Sequence, residues 1–530
     1  MPPVRPAALR WFVVALGAAF GLPGVSVART VPAKLSVAST PISRPIPTDF
    51  LGTAFEYGSV PAWVGSDPAQ PNPVLVALIR NLTPTGRPMI RIGGLSTDRS
   101  WWPVPGMAQP RGVTYALGPG WAQSVAALAR AVDARLVLGI NLEADSTHLA
   151  RTEADHFLAS IGTRYLSALD IGNEPPLYTS VPWYRTKGAK LIPWYEDEGR
   201  EVFSRGLGWG PSAFVADYER ILAALPDVPI VGPDTQQASW FAAYRRFLSP
   251  HSRVRTLVSH GYGLNNCVTD PMSAAYPSIS HLLSGYALHD LLGQLTPYIA
   301  LAHRDRAAFR IDEMGSVTCN GRWGVSNTMA SALWTAAALF SVARDGVDGV
   351  NLHSYPGLPN ALFDFGEASG RWTAAVHPTY YGALLFARGA PAGCRLRRVT
   401  WRGPAQLHAW ATAGPGRIRH VVMVNESLTD TANVIVSGLT GGPGQVQRLS
   451  APSASATKGI TLGGRTFGTR TGTGRLSPPV PSAVAARHGA YRVRVPAASG
   501  LVLTVDAHGA TRARSSGPSR RSGDRSERYR

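Results

Sequence analysis

The sequence predicts a (β/α)8 barrel followed by a β-sandwich, and three observations carry that prediction. From residue 49 to about 357, eight short β-rich runs ending in polar residues alternate with Ala/Leu-rich stretches of helical length. After about residue 390 the helical stretches cease, and short strands follow one another between Gly, Pro and Asn turns. The chain has 530 residues, 45% apolar and 16% charged, which suits a large barrel with a smaller partner and excludes a mainly disordered protein. The 55 glycines and 43 prolines show no period and read as turns.

Taken in order, residues 1–28 read as a signal peptide. Arg5 and Arg10 precede a short apolar run, and Ser26-Val27-Ala28 offers small residues for cleavage. The run is too short and too broken by Gly and Pro for a span of ~20 residues. The expectation is an exported protein, secreted or periplasmic, with no membrane span in its mature form. Residues 29–48 have no place in a barrel and are assigned to the sandwich as an extra strand.

The eight barrel strands are expected within 49–58, 87–98, 134–143, 164–175, 228–235, 253–263, 308–316 and 346–357. Their apolar runs suit strands buried on both faces. Amphipathic helices are expected at 121–134, 214–226 and 327–346, among others. A doubly wound open sheet is the competing fold, but no GxGxxG follows the first strand. The barrel is assigned to 49–389, the sandwich to 390–506, and a disordered basic tail to 507–530.

The formal net charge is +19. Two arginines sit in the leader and a net of five charges in residues 512–530, which leaves +12 on the body. Such a body attracts polyanions. An Arg-rich compositional habit accounts for it equally well. Of the three cysteines, Cys267, Cys319 and Cys394, at least one is unpaired, so this is no disulfide scaffold. Without CxxC or HExxH, no zinc site is expected, and no cofactor is called for.

In such a barrel the reacting groups lie at the C-terminal ends of the strands. There the sequence places Glu56, Ser96 and Asp98, Glu143, Asn173 and Glu174, Asp234, His260 and Tyr262, Glu313, and His353 and Tyr355. Glu174 follows the fourth strand in LDIGNEPP, and Glu313 follows the seventh in FRIDEMGS. Three of eight positions apart, their side chains face each other across the mouth. Cleavage of a glycosidic bond needs two such carboxylates, one to protonate the leaving oxygen and one to attack the anomeric carbon. A lone Glu at a strand end is more often a cap or an ion pair. The Asn-Glu-Pro together with the second Glu is what lifts this pair above that reading.

The pattern resembles the clan A retaining glycoside hydrolases. MIRIGGLSTD, IGNEPPLY, SHGYGLNNC and DEMGSVTCNG are similar to family 79, the β-glucuronidase and heparanase family, over roughly residues 33–505. The resemblance implies Glu174 as acid/base and Glu313 as nucleophile. It implies Asn173 on the sugar 2-hydroxyl and Tyr262 on Glu313. Gly321 and Tyr355 become donors to a uronate carboxylate, and Glu56 binds sugar hydroxyls. For Tyr262 and Tyr355 the alternative is packing, and for Glu56 an ion pair with Arg91.

Cys267 and Cys319 follow adjacent strands, so a disulfide bracing the loop beside the uronate site is geometrically reasonable; two separate thiols are the alternative. Residues 176–212 are long for a strand-to-helix loop and hold seven aromatics, suited either to stacking on sugars or to a small core of their own. The leading expectation is a monomeric β-glucuronidase acting on glucuronic-acid-containing glycans or glycosides, with no nucleic-acid partner. A clan A enzyme for a neutral sugar and a non-catalytic acidic-glycan binder are the competing readings.

Overall fold

The computed structural model describes residues 28–506 except 236, 238–239, 241–252, 415, 479 and 481. The segment read as a signal peptide (apart from Ala28) and the one read as a disordered basic tail lie outside the described residues. Eight parallel strands close a barrel: β1 (Leu51–Glu56), β2 (Met89–Gly93), β3 (Arg135–Ile140), β4 (Leu166–Ile171), β5 (Ile230–Val231), β6 (Val254–Asn265), β7 (Ala308–Thr318) and β8 (Gly349–Ser354). Each falls on one of the eight runs read from the sequence.

Side chains alternate across each strand. On β2, Ile90 and Ile92 join the large core between strands and helices, whereas Met89 joins a small cluster with Val137, Ala168, Val231 and Val258. Arg91, on the same face as Met89, is fully buried. The barrel interior is thus one apolar layer with a charged layer above it.

The helices begin and end as their sequences dictate. Helix Pro73–Leu82 starts with proline, and the Asn72 side chain accepts from the Val74 and Leu75 amides at 3.0 and 3.2 Å. Helix Met329–Asp345 departs from the amphipathic expectation, because it is buried on every face from Met329 to Ala343. Helix Pro378–Gly389 and strand Ile418–Asn425 both pack on it, so it has no water-facing side. Its first two amides donate to the Ala456 and Ala454 carbonyls, 2.8 Å each, from a segment of the C-terminal domain lying against the barrel.

That domain is a ten-stranded sheet folded over a second core. The N-terminal strand Thr30–Pro41 joins it, antiparallel to Arg395–Arg402 and parallel to Thr431–Ser437. On strand Ile418–Asn425, Val421 and Met423 face this core while Val422 and Val424 face the barrel helices. No helix among the described residues is long and apolar enough to cross a membrane.

Candidate active site

The first requirement is to bring consecutive strand residues to the same side. Between Ile311 and Met314, β7 carries one more residue than the facing stretch of either neighbour. Ser259 and His260 of β6 pair with Ile311 and Glu313, and Val350 and Leu352 of β8 pair with Ile311 and Met314. A bulge at Asp312-Glu313 absorbs the extra residue, so both acids point inward. At the end of β4, Gly172 adopts φ +77, where a Cβ would meet the Tyr178 hydroxyl at 2.6 Å. Glu174 itself has φ +46, held by its amide donating to the Asp234 carbonyl at 3.0 Å. The left-handed backbone turns Glu174 over the mouth.

One oxygen of Glu174 and one of Glu313 lie within 4.8 Å of each other and of a His260 ring nitrogen. His260 Nδ1 stands 2.7 Å from Glu174 Oε1, while Nε2 is 2.9 Å from Asp234 and 3.7 Å from Glu313. The Tyr262 hydroxyl donates to Glu313 Oε1 at 2.5 Å. Arg91 reaches the other oxygen with Nη1 at 3.1 Å and the Asn173 side-chain oxygen with Nη2 at 2.9 Å. His353 sits 3.6 Å from Glu313 and 3.7 Å from Glu56.

Burial alone would make Glu313 harder to ionise. His260, His353, Arg91 and the Tyr262 hydrogen bond outweigh it and hold Glu313 down to about 2. Beneath lies the charged layer, in which Arg91 also pairs with Asp170, Asp234 and Asp312. Burial and the Asp234 charge push Asp170 and Asp312 well up. Burial opposes the Asp234 charge too, but Arg91 and His260 hold it low. His260 is raised, because the Asp234, Glu313 and Glu174 charges outweigh burial. In this layer the cations Arg91 and His260 face the two acids that are held low, Asp234 and Glu313.

Glu56 is not paired with Arg91, the partner considered from the sequence. It accepts from the Ser96 hydroxyl and from the Ser96 amide at 2.9 Å. Gly94 lies so close to Glu56 that any Cβ there would collide with its carboxylate. Tyr355 is 39% exposed, and partial burial and then the Glu56 charge raise its hydroxyl. Cys267 and Cys319 form a disulfide with Cα atoms 5.9 Å apart. Cys319, Asn320 and Gly321 that follow β7 have φ of 54, 67 and 74°, a tight left-handed turn tied to the β6 loop by this bridge. Asp98, in the strand-end ring, accepts from the Leu142, Glu143 and Asn173 amides and the Tyr178 hydroxyl at 2.7–3.1 Å. It clamps three loops together rather than facing the mouth. The sequence reading considered Arg91 only as a partner for Glu56 and assigned no role to Asp170 or Asp312.

Fold and paired carboxylates together resemble those of the clan A glycoside hydrolases. Residues 407–502 match the glycosyl hydrolase family 79 C-terminal beta domain. No protein of curated function matches the chain. The structure is similar to that of a 4-O-α-L-rhamnosyl-β-D-glucuronidase from Fusarium oxysporum 12S, at 18% identity and TM-score 0.66, covering 89% of this chain and 100% of that one. It is also similar to a GH51 arabinofuranosidase from Xanthomonas axonopodis pv. citri, at 14% identity and TM-score 0.63, covering 90% and 100%. At these identities the solved structures show the fold, and the domain match carries the family likeness: the chain resembles the family 79 glycoside hydrolases.

The buried acids give the protein an acid-favoured stability. Burial, against Arg99, raises Glu143 to about 7. Between about 4.5 and 7 the folded state keeps a proton that the unfolded chain has lost, so stability falls as pH rises. His260, raised above 6.5, loses its contribution in the same direction. The lowered pair, Glu313 and Asp234, contributes fully throughout this window and loses its contribution only in stronger acid. The thermal midpoint is expected to be higher at pH 5 than at pH 8, with roughly 1–3 kcal/mol from Glu143 alone. A midpoint flat or rising over that range in calorimetry would contradict the assignment.

Proposed function

We propose that the protein is an exported, retaining glycoside hydrolase that removes β-linked glucuronic acid. The observation that carries the reading is the spacing of Glu174 and Glu313, oxygen to oxygen within 4.8 Å. Retaining enzymes hold their carboxyl groups about 5–5.5 Å apart, and inverting ones about 6.5–9.5 Å. Glu313, kept anionic and aimed by Tyr262 and Arg91, attacks the anomeric carbon. Glu174 gives its proton to the departing oxygen, then takes one from the water that hydrolyses the glycosyl ester. The negative charge moves from Glu313 to Glu174 and back. His260 stands 2.7 Å from one and 3.7 Å from the other, so the charge stays beside the same imidazole at every stage.

Three features support a uronate. Tyr355 lies at the mouth near Glu56, the bridged turn at Cys319–Gly321 stands beside β7, and the body is strongly basic. The solved Fusarium structure is, by its printed description, a β-D-glucuronidase. The test is hydrolysis of a chromogenic β-D-glucuronide beside the matching β-D-glucoside, with Glu174→Gln and Glu313→Gln as controls. Cleavage of the glucuronide, lost in both variants, is expected. Preference for the glucoside would keep the chemistry and discard the uronate. Cleavage of neither would move the weight to an endo-acting enzyme that needs a polymer, and then to the acidic-glycan binder.

A further inference from the structure

Four strands lie side by side in the C-terminal sheet: Arg395–Arg402, Thr30–Pro41, Thr431–Ser437 and Tyr491–Val495. Together they carry seven Lys and Arg and no Asp or Glu. The whole chain has 52 basic residues against 33 acidic ones, so an Arg-rich habit does not account for the missing acids.

Alternation sorts these strands into two faces. Leu35, Val434 and Val493 point into the sandwich core. Lys34, Arg398, Arg402, Arg492 and Arg494 point the other way and are exposed. None of the five makes an ion pair among the described residues. The barrel does not cover this face, because its helices pack on the half of the sheet that holds Ile418–Asn425.

The register brings like charges together. Lys34 lies opposite Arg402 on one side and Ile435 on the other, and Ile435 lies opposite Arg492. With strands about 4.8 Å apart, the row from Arg402 to Arg492 spans roughly 14 Å. Like charges directly opposite one another cost stability. Arg448 donates to the Arg494 carbonyl, and partial burial and then the Arg494 charge lower it. The fold thus holds a positive field that nothing in the chain relieves.

The groups between the cations select the kind of polyanion. Ser36, Thr400 and Asn433 stand exposed among them and match sugar hydroxyls. Stacking on bases needs aromatic rings, and seating in a membrane needs large apolar side chains. Among the described residues, no exposed large apolar side chain falls on these four strands. Guanidinium groups pair bidentately with carboxylates.

We propose that this face is a second binding site, separate from the barrel mouth, for a linear polysaccharide bearing carboxylates. The polymer lies across the strands along the row from Arg402 through Lys34 to Arg492. The site stands on the β domain alone. The glycosidase reading gives it a use, since a polymer held here raises the local concentration of chain around the mouth.

The experiment uses the full chain and polygalacturonate, which carries a carboxylate on every sugar but no β-glucuronide for the mouth. Dextran is the neutral polymer. The face variant combines Lys34→Ser, Arg402→Ser and Arg492→Ser. A control variant removes three exposed arginines elsewhere, by Arg130→Ser, Arg371→Ser and Arg475→Ser. Titration calorimetry is expected to show binding of polygalacturonate and none of dextran. The face variant should bind at least about tenfold more weakly, and the control like the wild type. Raising salt from about 50 to about 300 mM should weaken the wild-type complex. Both variants should keep wild-type kcat and KM on an aryl β-glucuronide, which also shows that they fold. Unchanged binding by the face variant, or an equal loss in the control, would overturn the site. A DNA duplex or a phosphatidylserine vesicle held more tightly than polygalacturonate would overturn the polysaccharide as its occupant. A chain inert on the aryl glucuronide that still binds polygalacturonate through this face would sink the functional reading and leave this one standing.

Discussion

Glu313→Gln is expected to remain folded and to lose at least about 10⁴-fold in turnover, about 5.4 kcal/mol of transition-state stabilisation. The amide fits the site. Its oxygen accepts from Arg91, and its NH₂ donates to the Tyr262 hydroxyl, which now accepts instead of donating. What disappears is the charge. The depressed Glu313 contributes stability at neutral pH, so its removal costs roughly 1–3 kcal/mol. The two glutamates are separated by leaving-group dependence. An activated aryl leaving group departs without a proton, so Glu174→Gln should keep much of its first step on a dinitrophenyl substrate. Glu313→Gln should fail with every leaving group, because no carboxylate attacks. Turnover by Glu313→Gln that tracks leaving-group acidity would reverse the roles, and a variant with wild-type turnover would remove Glu313 from the reaction.

The barrel was legible because its outward faces are written plainly. Runs such as MIRIG and RLVLGI place Ile, Leu and Val on every second residue, and each ends in polar residues at the mouth. The acids of the mouth followed from that boundary alone. The charged layer beneath did not, and the reason is physical. Arg91, Asp170 and Asp312 sit inside apolar runs, where one polar residue reads as an interruption rather than as a member of a layer. Nothing in FRIDEMGS announces the β7 bulge that turns Asp312 and Glu313 to the same side. In a regular strand they would face opposite ways. The inward alignment of Arg91 with Asp170 on β2 and β4 is a signal that strand alternation does offer, once the register is known. Residues 176–212 were visible as an aromatic-rich excess, and Tyr178 and Trp209 stack there as a small core, whereas Tyr195 remains 65% exposed.

Replacing Arg91 should cost the most stability of any single change near the site. Its guanidinium, fully buried, faces Asp170, Asp234, Asp312 and Glu313 and also holds Asn173. With Arg91→Met the layer keeps its carboxyls and loses one of its two cations. Removing one partner from a buried ionic group costs about 3–5 kcal/mol, because the remaining charge is left uncompensated. Arg91→Lys should recover little of this, since one ammonium on a flexible stem cannot fork to five oxygens on three strands. Activity should fall with stability in both variants, as Glu313 loses an aiming hydrogen bond and Asn173 its orientation. The signature is the pH dependence of the loss. In Arg91→Met, Asp234 keeps only His260 to offset its burial and should take up a proton at higher pH than in the wild type. The stability gap between variant and wild type should therefore narrow as pH falls from 8 toward 4, measured by denaturant unfolding at each pH. A gap below about 1 kcal/mol and constant with pH would mean that Asp234 and Glu313 are already neutral in the native state. A neutral Glu313 has no charge with which to attack, so the nucleophile assignment would fall on a stability measurement alone.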